Sequence, residues 1–177
     1  MSRTKRAAVA AVVVALGATG CGQSDNGAVA GTGAPVSASP RPTGTGRPMT
    51  KEIARNDLDT AAADAGAPES EPAFAGTNDD APAGSLRACG VMYKWFGTED
   101  APADMARFDK MVDELRERDW QQSGDRRERR YDSGVVHEAV VVLKQRGWTT
   151  VVEYMEMTRG GDITMNSFDT ACAKKNL

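Results

Sequence analysis

Two strongly apolar segments separated by one short turn constrain the fold of this chain more than any other feature. Residues 135–143 are rich in valine, residues 148–157 contain a second apolar run, and Arg146-Gly147 lies between them. Branched side chains favour strands, and glycine supplies the positive φ that a tight hairpin requires. The sequence therefore predicts an antiparallel hairpin in which Gln145 pairs with Trp148.

This register gives the hairpin two faces, and both carry apolar side chains. Successive side chains of a strand point to opposite faces of the sheet. One face carries Ala139, Val141 and Leu143, and the other carries Val140, Val142, Val151 and Met155. We expect helices to cover one face. The four-residue set on the other face is either capped by the loop before Leu86 or left open as a contact surface.

The remaining C-terminal segments predict further strands and one secure helix. Alternation predicts strands over residues 87–96 and 162–168, and an arginine-rich edge strand over residues 120–131. A helix is predicted that has Pro102 in its first turn and ends near Arg118. Its core-facing side chains are Met105, Phe108, Met111, Val112 and Leu115.

Together these elements predict a two-layer α+β domain over residues 85–177. We expect an antiparallel sheet of four or five strands with helices on one face. Residues 174–177 follow the last cysteine and are expected to fray.

The first 21 residues have the order of a bacterial export signal. Arg3, Lys5 and Arg6 precede an apolar run over residues 7–16, and small residues then lead to Cys21. Ala-Thr-Gly before Cys21 resembles the lipobox of bacterial lipoproteins. That resemblance implies removal of residues 1–20, attachment of lipid such as palmitate to Cys21, and anchoring at the extracytoplasmic face of the cell membrane.

Two segments separate this anchor from the compact domain. Residues 21–48 contain glycine, alanine, serine, threonine and proline with few large apolar side chains, which predicts a disordered tether. Residues 49–84 begin with a predicted helix capped by Thr50 and ending near Gly66. The rest of residues 49–84 is predicted to form an acidic surface loop.

Charge and cysteine content restrict the partners. Removing the signal leaves 19 basic against 25 acidic residues, a net charge of −6 in the 157-residue mature chain. This balance argues against nucleic acid, because phosphate binding needs clustered cations. With Cys21 assigned to lipid, Cys89 and Cys172 predict a disulfide in an oxidising compartment; two free buried thiols are the alternative.

No motif indicates a catalytic residue, a cofactor or a metal. The sequence has no nucleophile elbow, no phosphate-binding glycine loop and no zinc-protease motif, and His137 is its one histidine. His137 lies inside a predicted strand, where a packed or exposed structural role is expected. Arg126, Arg127, Arg129 and Arg130 interleave with acidic residues, which favours a solvated sheet edge over an anion site.

The whole arrangement resembles a family of uncharacterised secreted lipoproteins from high-GC actinobacteria of the Streptomyces type. The resemblance includes the lipobox, the tether, Met-Thr-Lys-Glu-x-Ala-Arg-x-Asp-Leu over residues 49–58, Arg-x-Arg-Asp-Trp120, the Gly-Trp148 turn and the two domain cysteines. It implies an extracytoplasmic location and this α+β fold, and it supplies no catalytic or ligand-binding residue.

Three functions remain open on the sequence. The first is a non-enzymatic, surface-tethered binding or interaction module of the cell envelope. The second is an envelope enzyme, such as a hydrolase that uses His137 or Glu138. The third is a structural stalk domain. A pocket containing His137 and a nearby nucleophile would favour the enzyme.

Overall fold

A computed structural model describes residues 48–75 and 78–177. The predicted signal, Cys21 and nearly all of the predicted tether lie outside these residues. The described chain forms a six-stranded antiparallel sheet with helices packed against it. The α+β prediction is therefore confirmed, with one strand more than the four or five expected.

The strands and helices are numbered in chain order. The strands are β1 (Gly90–Phe96), β2 (Gln121–Gln122), β3 (Arg127–Arg130), β4 (Val136–Gln145), β5 (Trp148–Met155) and β6 (Asp162–Asp169). The helices are α1 (Lys51–Asp64), α2 (Pro72–Ala75), α3 (Met105–Glu117) and α4 (Thr170–Lys175), with a 3-10 turn at Leu86–Cys89. The sheet order is β1-β6-β5-β4-β2, and β3 also pairs with β4.

The central hairpin has the predicted register. Gln145 pairs with Trp148, Leu143 with Thr150 and Val141 with Val152. Arg146 and Gly147 form the turn with φ of 43° and 85°. Because this left-handed backbone is easily adopted by glycine, the Arg-Gly dipeptide fixes where the chain reverses.

Helices α1 and α3 cover one face of the sheet and build the core with it. The Thr50 hydroxyl accepts a hydrogen bond from the Ile53 backbone N–H at 3.3 Å, which confirms the predicted N-cap. The core includes Leu58 of α1 and the predicted apolar face of α3, of which Met105 is partly buried. Asp104 caps α3, so Pro102 precedes the helix and the prediction that it lies in the first turn is wrong.

Four short segments differ from their predictions. The predicted strand over residues 120–131 is divided into β2 and β3 because Gly124 adopts a φ of 85° between them. The predicted first strand begins only at Gly90, because Ser85 caps the 3-10 turn. The acidic loop contains α2. Lys174 and Lys175 do not fray but end α4, whose N-cap is Asp169.

Within the described residues, no helix combines the length and apolar character needed to cross a bilayer.

Candidate functional site

The face of the sheet opposite α1 and α3 is here called the outer face, and its side chains are not part of the core cluster. Alternation along each strand and the pairing register define its members. They are Met92, Lys94 and Phe96 of β1, Asp162, Thr164, Asn166 and Phe168 of β6, Thr149, Val151, Glu153 and Met155 of β5, Glu138, Val140, Val142 and Lys144 of β4, Gln121 of β2, and Arg127 and Arg129 of β3.

The four predicted contact residues lie together on this outer face, on β4 and β5. Val142 pairs with Val151, and Val140 pairs with Glu153. Val140 is only 8% exposed, Val142 and Val151 are half-buried, and Met155 is 49% exposed. Only Met155 offers a large exposed apolar surface, so the contact role of the set stays a prediction.

At the other end of the outer face, a cleft of about 580 Å³ opens over β1 and β6. We call it the β1–β6 cleft. Its volume falls within the range typical of small-molecule sites, and a mainly apolar lining with few polar groups is typical of such sites. The lining residues are Phe74, Asn78, Leu86, Arg87, Gly90, Val91, Met92, Asn166, Ser167, Phe168, Ala173 and Leu177.

Two strands form the floor of the β1–β6 cleft. Gly90 pairs with Phe168, and Met92 pairs with Asn166. A Cβ atom added to Gly90 would lie 2.7 Å from the Ser167 carbonyl oxygen, which is closer than real Cβ atoms approach. Glycine at this position therefore permits the close passage of β1 beside β6, and it adds no side chain to this point of the floor.

A disulfide holds the walls of the β1–β6 cleft together. Cys89 ends the 3-10 turn that carries Leu86 and Arg87, and Cys172 lies in α4 beside Ala173. Their Cα atoms are 5.5 Å apart, and the pair is the disulfide that the sequence predicts. The Asn176 side-chain amide adds a hydrogen bond to the Cys172 carbonyl at 3.0 Å.

Arg87 is the one charged side chain that lines the β1–β6 cleft. It is exposed, and no carboxylate of the described residues forms an ion pair with it. Lys94, further along β1, differs because its ammonium group pairs with Asp162 at 2.6 Å and donates to Thr164 at 3.1 Å. The cation at the mouth of the cleft is thus available to an anion.

The residues considered for an enzyme lie elsewhere. His137 stacks on Tyr131 with ring centroids 4.3 Å apart, and Glu138 accepts a hydrogen bond from Arg129 at 3.1 Å. His137 and Glu138 do not line the β1–β6 cleft, nor the second cleft beside α1. Neither cleft therefore provides the pocket around His137 that a hydrolase would need.

Three of the four arginines at the predicted sheet edge, Arg126, Arg129 and Arg130, form ion pairs with acidic side chains. Arg126 pairs with Glu128 at 2.7 Å and also with Asp109, and Arg130 pairs with Glu128. Such ion pairs at an exposed edge are consistent with a solvated surface.

A second cleft of about 350 Å³ lies between α1 and the segment that follows it. Its lining includes Arg55, Asp59, Glu69 and Tyr93. The Tyr93 hydroxyl donates to the Pro68 carbonyl at 2.9 Å. Burial raises the pKa of this phenol, and the nearby Asp59 carboxylate raises it further. The hydroxyl therefore stays protonated and acts as a structural donor.

In the described part of the chain, no group of three or more histidine, cysteine, aspartate or glutamate side chains is placed to hold a metal ion.

Sequence reasoning did not find the β1–β6 cleft, because three short segments form its walls. One overlooked signal was Asp169 before Thr-Ala-Cys-Ala-Lys-Lys, since an acidic cap and terminal lysines mark a helix. Comparison of the chain with protein-family models, with curated proteins and with solved structures found no match, so the site geometry carries the functional argument.

Proposed function

We propose that this protein is a lipid-anchored, extracytoplasmic binding module of the cell envelope, and that it acts without catalysing a reaction. The observation that carries the proposal is the β1–β6 cleft, whose largely apolar wall and single unpaired cation suit recognition of a small ligand. A mainly apolar cleft with a few polar groups is the default ligand-binding site in a protein whose function is not established.

Location and anchoring rest on two further features. The small-residue run that ends at Cys21 is the pattern of a lipidation site. The disulfide between Cys89 and Cys172 suits an oxidising compartment, because cytosolic thiols are generally kept reduced. Both features are consistent with display of the cleft outside the cell membrane.

Site-specific photocrosslinking tests the proposal in the cells that produce the protein. A photoreactive amino acid at Leu86, which is 45% exposed on the rim of the cleft, should capture a bound ligand as an adduct of defined mass. The matched control places the same group at Val135, which is 53% exposed next to β4 and does not line the cleft.

Two outcomes decide the matter. An adduct at Leu86 that is absent at Val135, and that disappears when Ala173→Phe fills the cleft, supports a binding module. Equal labelling at both positions, or no adduct at Leu86, would overturn the proposal and leave the stalk or enzyme alternatives.

A further inference from the structure

We propose, building on the binding function above, that the β1–β6 cleft binds a long-chain fatty acid. The aliphatic chain lies along the outer face over β1 and β6, and the carboxylate pairs with Arg87 at the mouth.

The lining explains the preference for an aliphatic chain. Apolar side chains contribute from every wall: Phe74 from α2, Leu86 from the 3-10 turn, Met92 from β1, Phe168 from β6, and Ala173 and Leu177 from the C-terminal segment. Such a wall gives a hydrocarbon chain many close contacts and offers few groups that would need a polar partner. A sugar or a nucleotide would need more polar partners than Asn78, Arg87 and Asn166 provide.

The position of Arg87 explains the preference for an anionic head group. Arg87 belongs to the exposed 3-10 turn, so its guanidinium lies where the cleft meets solvent. A guanidinium matches a carboxylate with two parallel hydrogen bonds. Because the largely apolar lining includes this one exposed cation, the site fits a molecule with an apolar tail and a negative head.

The charges around Arg87 favour an anionic head group at this position. The mature chain carries a net charge of −6, so Arg87 is not part of a generally basic surface. Lys94, the cation that β1 contributes to the outer face, is already paired with Asp162. A cationic amphiphile of the same length would meet the same apolar wall and would be repelled by Arg87. The charge of the head group therefore distinguishes specific binding of a fatty acid from non-specific binding of any amphiphile to an apolar surface.

Isothermal titration calorimetry with free fatty acids tests whether the cleft binds an aliphatic chain. The full-length protein carrying Cys21→Ser is titrated below the critical micelle concentration with a series from decanoate to palmitate. Each added methylene should lower Kd by about fourfold until the cleft is filled. A Kd that does not change with chain length would overturn the aliphatic part of the proposal.

Matched variants test the site. Arg87→Gln should weaken laurate binding several-fold, whereas Lys175→Gln, an exposed α4 cation that does not line the cleft, should leave it unchanged. Ala173→Phe should abolish binding, whereas Ala171→Phe, exposed on the same helix and outside the cleft, should not. An unchanged melting temperature and near-ultraviolet spectrum establish that each variant is folded.

Dodecyltrimethylammonium tests the head group. Its alkyl chain is one methylene longer than that of laurate and its head group has the opposite charge. It should nevertheless bind the wild type more weakly than laurate, and Arg87→Gln should reduce that difference. Equal binding of the two amphiphiles to the wild type would overturn the assignment of the carboxylate. Arg87-dependent binding to phosphatidylglycerol vesicles without laurate binding would replace the fatty acid by a membrane lipid, and would also overturn the proposal.

The crosslinking experiment separates the two levels of the argument. An adduct at Leu86 whose mass is not that of a fatty acid would end the fatty-acid proposal while supporting a binding module. No adduct at Leu86 would end both.

Discussion

Cys89 and Cys172 are 83 residues apart in sequence, yet their disulfide joins the 3-10 turn beside β1 to the helix that follows β6. Both of these segments contribute to the wall of the β1–β6 cleft. One covalent bond therefore links the segment before β1 to the segment after β6. The same bond holds the two sides of the proposed site together.

The first prediction concerns this disulfide. Replacing both cysteines, with Cys89→Ala and Cys172→Ala, should lower the free energy of unfolding by about 4–5 kcal/mol. The reason is that the bond closes a loop of 83 residues and restricts the unfolded chain. Urea denaturation measures the change. The reduced wild type should match the double variant, and a loss below about 1 kcal/mol would show that residual structure already restricts the unfolded chain.

The second prediction concerns the anchor. Cys21→Ser should abolish incorporation of radiolabelled fatty acid, and should either release the protein from the membrane fraction or leave its signal uncleaved, because the sequence predicts that lipid on Cys21 is the anchor. Cys172→Ser is the matched control, since Cys172 lies in α4 and forms the disulfide. Labelling that persists in Cys21→Ser would contradict the lipoprotein hypothesis.

Local sequence patterns predict those elements of the fold whose structure depends mainly on residues close together in the sequence. The hairpin register follows from Arg146-Gly147 and the flanking apolar runs, and α3 follows from apolar spacing above a polar face. The division between β2 and β3 depends on one glycine in a polar segment. That signal is too weak to separate two short strands from one longer edge strand.

The candidate site was not predictable in the same way. Its walls come from α2, the 3-10 turn and α4, each of six residues or fewer, and short segments carry little periodic signal. Their arrangement depends on the sheet order, which brings β1 beside β6 across most of the domain. The sequence alone predicted the disulfide that joins two of these walls, but not that a cleft lies between them.

The third prediction concerns Tyr93 and alkaline pH. Burial and the Asp59 carboxylate raise the pKa of its phenol in the folded protein, so the unfolded state loses this proton first as pH rises. The stability contribution is therefore full below about pH 10, the ordinary value for tyrosine, and falls above it. Tyr93→Phe should flatten this alkaline decline in the free energy of unfolding.

At neutral pH the same variant should be less stable than the wild type by about 1 kcal/mol. The cause is loss of the hydrogen bond that the Tyr93 hydroxyl donates to the Pro68 carbonyl. Tyr131→Phe, at an exposed position, is the control. If Tyr93→Phe and the wild type lose stability in parallel between about pH 9 and 11, the ionisation argument is wrong.

The fourth prediction concerns a buried polar contact that the sequence did not reveal. Asp57 is 1% exposed in α1, and its carboxylate accepts a hydrogen bond from the Trp120 indole N–H at 3.0 Å. The two residues are 63 positions apart, so no local pattern links them. Buried carboxylates are seldom found without partners. This hydrogen bond also connects α1 to the segment between α3 and β2.

Asp57→Ala should therefore lower the free energy of unfolding by about 1–3 kcal/mol, since it leaves the buried indole N–H without this acceptor. Asn56→Ala, one residue earlier at an exposed position of the same helix and outside both clefts, should change stability by less than about 0.5 kcal/mol. Urea denaturation of both variants gives the comparison. Equal effects of Asp57→Ala and Asn56→Ala would mean that the contact with Trp120 contributes no measurable stability, because alanine favours the helix at both positions.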